Sequence, residues 1–252
     1  MGFLVDHPLI FALASFIILW LCAAVGAGLL RRHGRPPESR VDFTIILTAS
    51  LTLLGLIIGF TFSMSISRYD QRKANERVEA NAIGTEYLRA DLLPAPDGER
   101  LRTLLRDYLG QRIEFYRTRS SLHAAQAATR TSGLQGELWS AVTGPVRTQP
   151  TPVLTLVVSG MNDVLNAEGY AEAGWVNRIP ITAWLLMALI AVLCNAMVGY
   201  HTRSNESRVR FLAVLPLVVS VAFFLISDID SPRGGIVRVT PDTLLSLSAS
   251  LK

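Results

Sequence analysis

The sequence is short of charge. Its 24 basic and 20 acidic side chains make up 17% of 252 residues, against about a quarter in a typical soluble domain. The shortfall is local: residues 8–30, 43–67, 179–200 and 211–227 contain no Asp, Glu, Lys or Arg. Elsewhere the charge density is ordinary. This pattern excludes a single soluble domain and a disordered chain. Cysteine is also scarce. Cys22 and Cys194 both fall inside charge-free runs, so a disulfide scaffold is excluded and each thiol is expected to behave as a small hydrophobe. The four histidines, His7, His33, His123 and His201, are scattered without metal-ligand spacing. There is no GxSxG, no P-loop and no dinucleotide fingerprint. No catalytic residue, cofactor or metal site is therefore expected, and the chain does not read as an enzyme. No basic patch interleaved with aromatics points to nucleic acid either.

What is present is enough apolar helix to cross a bilayer. A hydrocarbon core about 30 Å thick requires about 20 apolar residues of helix. The expected architecture is an all-α integral membrane protein in the lipid bilayer, with spans at 8–30, 41–67, 179–200 and 211–227. An extramembrane helical domain occupies 68–178 and a C-terminal tail 228–252. The fourth run is short and contains Pro216, so snorkelling flanks must extend it. The first does not read as a signal peptide, because its apolar run exceeds a 7–15-residue h-region and Asp6, not a basic residue, precedes it. Loop 31–40 (RRHGRPPESR) and loop 201–210 (HTRSNESRVR) are both basic. The positive-inside rule puts them in the cytoplasm, with both termini and 68–178 on the periplasmic side. With no ionised side chain in any span, a proton relay or charged midplane site is not expected. Any permeation must be governed by apolar, hydroxyl and backbone groups.

Segment 68–178 reads as helical. The second span continues outward with no break until Gly84 and Pro94. Pro94-Ala-Pro96-Asp97 then breaks the chain, with Asp97 as an expected N-cap. Residues 98–122 place Leu101, Leu104, Leu105, Tyr108, Leu109, Phe115, Tyr116 and Leu122 on one face. Arg112 and Arg119 fall on that same face, either as snorkelling stems at its edge or in a buried ion pair or anion contact. Further helices are expected around 134–142 and 153–173, with a short amphipathic one at 242–249. Glu79, Glu86 and Asp91, with Arg89, read as solvated helix pairs.

The second span is the most informative element. Thr44, Thr48, Thr52, Gly55, Gly59, Ser63 and Ser67 recur at steps of three or four, a small-residue stripe of the kind that packs helices closely in lipid. Beyond the membrane, Ala74, Val78, Asn81, Thr85, Leu88 and Leu92 continue as a heptad-like seam. Leu53, Ile57, Phe60 and Met64 form a separate bulky row. That row either faces lipid or, in an assembly of several copies, forms an apolar constriction that gates by dewetting. After the fourth span, Asp228 and Asp230 stand beside Arg233. The expected arrangement is an ion-pair cluster with Arg68 or Arg72; a cation site is the alternative, although the EF-hand pattern is not met. Asn195 and His201 could line a polar path, against an interhelical hydrogen bond and an interfacial position.

The blocks GLIIGFTFSMSISRYDQRK, EANAIGTEYLRADLLP and DIDSPRGGIVRV together resemble a bacterial bestrophin-like membrane family, over essentially the whole chain. The resemblance implies a place in the bacterial inner membrane. It also implies kinship with bestrophins, homopentameric anion channels whose second membrane helix lines a narrow apolar neck. Gly59, Phe60, Tyr69, Asp70 and Arg72 match that helix, with the Tyr-Asp set a few residues farther from the Gly-Phe and the following tryptophans missing. Bestrophins keep their large domain in the cytoplasm, opposite to the charge reading. Two functions follow as expectations: a homo-oligomeric channel for inorganic ions, or a membrane-anchored sensor or scaffold acting through its helical domain.

Overall fold

A computed structural model describes residues 7–33, 39–148, 150–201 and 212–251. Most of both basic loops (34–38 and 202–210) lies outside the described residues. All regular structure among those described is helical: α1 (Pro8–His33), α2 (Ser39–Arg89), a 3₁₀ turn (Ala90–Leu92), α3 (Ala95–Arg117), α4 (Ser121–Thr148), α5 (Pro152–Val176), α6 (Ile181–His201), α7 (Val214–Asp230) and α8 (Asp242–Ser250). Among the described residues three helices are long and apolar enough to cross a membrane: at Pro8–Gly28, within Asp42–Leu92 and within Pro152–His201. The expected fourth span corresponds to α7, whose 17 residues fall short of that length.

The helices separate into two compact units: residues 1–67 with 178–237, and residues 68–177 with 238–252. In the first unit α1 packs against α6 and α7. The α1–α6 crossing is close because glycine stands on each side of it. A Cβ on Gly26 would overlap the Ala196 carbonyl oxygen, and one on Gly199 would overlap that of Ala23. Small residues are what allow helix backbones to approach in an apolar medium. Leu19, Leu54, Trp184, Met187, Val219, Phe223 and Ile226 form the core. Phe11 meets Trp184 edge-on at 5.2 Å. Asn195 is buried, but its Nδ2 donates to the Ala191 carbonyl of its own helix, not across helices. His201 is exposed and stacks on Phe43.

In the second unit the outer part of α2, the 3₁₀ turn, α3, α4, α5 and α8 enclose Ile83, Leu101, Leu105, Leu109, Leu138, Val157, Met161, Val164 and Leu244. Three expectations need correction. First, α3 begins at Ala95 with Pro94 as N-cap and Pro96 in the first turn, where proline lacks only a donor the helix would leave unpaired. Asp97 therefore sits inside the first turn and does not cap it. Second, α3 ends at Arg117, where Thr118 turns extended; Leu122 belongs to α4 and is 65% exposed. Third, α4 runs from Ser121 through Gly133, Gly144 and Pro145, well beyond 134–142. Packing of Ala124, Ala127, Thr131, Leu138, Ala141 and Val142 overrides the weak helix propensity of those glycines.

The C-terminal helix is held at both ends. A Glu76 carboxylate oxygen accepts from the Thr243 and Leu244 N–H groups, each at 2.9 Å. Arg106 donates to the Leu251 carbonyl at 3.0 Å. An anion at the N-terminus and a cation at the C-terminus both complement the helix dipole.

Candidate functional site

Two features stand out: the surface of α2 and a cluster of buried charge in the second unit. In the membrane part of α2 one face is buried in its own unit, through Leu47, Leu54, Thr61 and Ser65. The small-residue stripe faces elsewhere. Thr44, Thr48, Thr52, Gly55, Gly59, Ser63 and Ser67 are all exposed, and a Cβ on Gly55 or Gly59 would meet open space. Among the described residues Gly55 and Gly59 therefore make no close helix crossing, whereas Gly26 and Gly199 make the one between α1 and α6. Thr52 satisfies its hydroxyl locally, donating to the Thr48 carbonyl. In the bulky row Leu53, Phe60 and Met64 are exposed, Phe60 by 66%. Ile57 is half-buried against the core. The outer part of α2 shows the same division: Glu76, Glu79, Ala80, Ile83 and Glu86 are buried, whereas Val78, Asn81, Thr85 and Leu88 are exposed.

The buried charge centres on Arg112 of α3. Its guanidinium is fully buried and paired with the fully buried Glu79 of α2. It also lies 3.4 Å from Glu168 and 3.6 Å from Glu172, both on α5. Tyr116 donates to Glu79 at 3.0 Å, and Gln135 of α4 donates to Glu168 at 3.1 Å. The guanidinium stacks over Phe115, 4.6 Å from the ring centre, within an edge-to-face cluster of Phe115, Tyr116 and Trp175. Four helices thus share one ionic core. Of the two readings open for Arg112, the buried ion pair is the one observed, while Arg119 is exposed. Burial, the largest single influence, disfavours the Arg112 cation, but the charge and hydrogen bond of Glu79 together with Tyr108 and Glu168 outweigh it and the pKa is raised. Burial also pushes Tyr108 and Tyr116 up, with the Glu79 charge adding to it. Glu168 is pushed up to about 7, mainly by burial, with Arg112 opposing and the neighbouring Glu172 reinforcing.

The reading of Glu79 and Glu86 as solvated is corrected. Both side chains are fully buried, because their turns of α2 face α3 and α5. Only Asp91 remains exposed, paired with Arg102. Neither oxygen of Glu86 accepts a hydrogen bond among the described residues, and its nearest cation is Arg89 at 3.8 Å. Burial, first, and then the charge of Asp163 push its carboxyl up to about 8 against the pull of Arg89. A sequence signal existed: Glu76, Glu79 and Glu86 share a helical face with Ala80, Ile83 and Ala90.

Asp228 and Asp230 are buried and hold backbone. Asp228 accepts from Ile236 N–H at 2.7 Å and Val237 N–H at 2.9 Å. Asp230 accepts from Ile179 N–H at 3.1 Å. A Cβ at Gly235 would overlap the Asp228 carbonyl oxygen, so this turn requires glycine. Arg233 is half-buried, Arg72 is buried and Arg68 donates to Asn177. Among the described residues no group of three His, Cys, Asp or Glu is arranged to hold a metal ion.

The family model described as the Bestrophin-like domain matches residues 9–244. Among solved structures, a point variant of a bacterial bestrophin homolog from Klebsiella pneumoniae is 13% identical, with TM-score 0.67 over 96% of this chain and 97% of that one. The same homolog solved by zinc phasing is 12% identical, with TM-score 0.65 over 96% and 95%. A structure described only as a membrane protein variant is also 12% identical, with TM-score 0.65 over 97% and 98%. At such identities the likeness shows the fold. No curated protein matches.

Proposed function

The chain belongs to the bestrophin-like family, and on that premise we propose that it is a homo-oligomeric ion channel of the bacterial inner membrane whose conduction path is lined by α2. The fold is characteristic of channels rather than enzymes. The observation that carries the reading is the division of α2. One face is committed to its own unit, while the stripe, the bulky row apart from Ile57, and Val78, Asn81, Thr85 and Leu88 of the outer seam are exposed. In an assembly of copies these surfaces supply both helix contacts and a lining. Small residues give close approach between neighbouring helices. Leu53, Ile57, Phe60 and Met64 then form the constriction, where an apolar ring resists wetting and thereby gates. With no ionised side chain between residues 43 and 67, passage is controlled by apolar, hydroxyl and backbone groups. Arg112 and its carboxylates act as a rigid ionic core that fixes α2 against α3 and α5.

Purified protein reconstituted in liposomes is expected to conduct ions, and Phe60→Ala to raise the flux by widening and wetting the constriction. Absence of flux from wild type and variant across voltage and pH would remove the proposal.

A further inference from the structure

One buried acid is left over once the ionic core of the domain is accounted for. Glu79 is paired with Arg112 and accepts from Tyr116, and Glu76 accepts from two backbone N–H groups of α8. Glu86 has neither arrangement. Its carboxyl is fully buried against α5 at Gly160, where a Cβ would overlap both Glu86 Oε2 and Arg89 Nη1. The absence of a side chain at 160 is what lets the acid press onto the α5 backbone.

The charged groups around it are few. From α2 itself comes Arg89, 3.8 Å away and partly exposed. From α5 comes Asp163, a like charge. Asp91, on the 3₁₀ turn that follows α2, is exposed and paired with Arg102 of α3. A carboxylate in this place would be anionic, desolvated and without an N–H or O–H donor, which is costly, whereas the neutral acid is tolerated. The site also lies at a mechanical boundary. Arg89 ends α2, and Ala90–Leu92 form the 3₁₀ turn before Leu93 goes extended. On the opposite side of these turns stand the exposed Thr85 and Leu88.

We propose that Glu86 is a proton-operated latch: protonated, it holds the end of α2 against α5, and on losing its proton it releases that end, so that the open face around Thr85 and Leu88 shifts with pH. The latch itself does not depend on the channel reading; its effect on conduction does. The proton leaves to solvent, and the carboxylate it leaves behind gains stability by admitting water or drawing Arg89 closer. The pH at which this happens is set by burial and Asp163 against Arg89, and lies near 8.

The test uses the full chain in lipid nanodiscs and in liposomes. Hydrogen exchange of residues 82–92 and 157–164 is measured between pH 6 and 9.5, corrected for intrinsic exchange. Wild type is expected to lose protection in both segments about tenfold or more across a midpoint near 8, and Glu86→Gln to keep it throughout. Asp163→Asn, an exposed position that leaves the core untouched, is expected to move the midpoint to lower pH by removing a like charge; this arm stands even if Glu86→Gln fails to fold. Flux from liposomes is expected to follow the same midpoint in wild type. Wild-type protection that is flat with pH, or a midpoint unmoved by Asp163→Asn, overturns the latch. Protection that changes as expected while no flux is seen at any pH sustains the latch and removes the channel reading. Flux that ignores pH while protection changes overturns the coupling between them.

Discussion

Replacing Arg112 with methionine keeps most of the side-chain volume and removes the cation at the centre of the ionic core. Glu79 would then be a fully buried carboxylate with Tyr116 as its remaining donor, facing Glu168 and Glu172 with no cation among them. Breaking a buried ion pair from one side costs about 3–5 kcal/mol. Glu79→Gln should cost less, about 1–3 kcal/mol, because Arg112 keeps Glu168 at 3.4 Å and Glu172 at 3.6 Å. The double variant removes both buried charges and should cost less than the sum, with a coupling of about 1–3 kcal/mol. At roughly 3–5 °C per kcal/mol for a domain of this size, Arg112→Met should lower the apparent Tm by about 10–20 °C at pH 8. The deficit should shrink at pH 5, where the stranded carboxylates take up protons. Thermal unfolding in detergent, followed by tryptophan fluorescence, reads this directly, since Trp175 packs 5.5 Å from Tyr116 in the same cluster. A Tm within about 2 °C of wild type at pH 8, or a loss equal at both pH values, would refute the assignment of Arg112 as the ionic centre.

Further outcomes follow from other parts of the molecule. Glu168 has a folded-state pKa raised from 4.5 to about 7, so its stabilising effect is complete below 4.5 and is lost as pH rises through 7. Glu168→Gln should therefore flatten the decline of Tm across that window, as pH-dependent thermal scans would show. Gly199→Ala places a methyl against the Ala23 carbonyl and should separate α1 from α6, with a loss of a few kcal/mol of the kind seen on overpacking; its apparent Tm tests this, and an unchanged value contradicts the crossing. Reporter fusions at residue 120 and at Lys252 are expected on the charge asymmetry of the loops to show periplasmic activity at both points; cytoplasmic activity at both reverses the orientation.

Much of this was legible from local pattern. The absence of charge between residues 43 and 67, and the steps of three and four from Thr44 to Ser67, sufficed to identify α2 as the element of interest. The partner of that stripe was not legible. A run of small residues shows that something approaches closely but not which surface, and Gly55 and Gly59 turn out open within the chain, while Gly26 and Gly199 make the intramolecular crossing. The acids of α2 were misread for a similar reason. Glu79 and Glu86 look like surface residues until α3 and α5 close over them, and the apolar residues on their face, Ala80, Ile83 and Ala90, are the sequence sign of a buried side. Helix ends were limited by the same dependence on packing: Gly133, Gly144 and Pro145 mark breaks by propensity, yet α4 continues through all three. Arg112 could be flagged as anomalous on an apolar face, but its partners come from residues 79, 168 and 172, too distant in sequence to be matched without the fold.

Cysteine accessibility along α2 bears most directly on whether this helix lines a conduction path. In liposomes containing protein with Cys22 and Cys194 replaced by serine, single substitutions from Thr48→Cys to Ser67→Cys are exposed to a charged, membrane-impermeant thiol reagent while flux is recorded. Block is expected at Leu53→Cys, Phe60→Cys and Met64→Cys, recurring with helical period, and not at Leu54→Cys or Ser65→Cys, whose native side chains are buried in their own unit. Flux that persists unblocked at every position, or block without helical period, would contradict a path lined by α2.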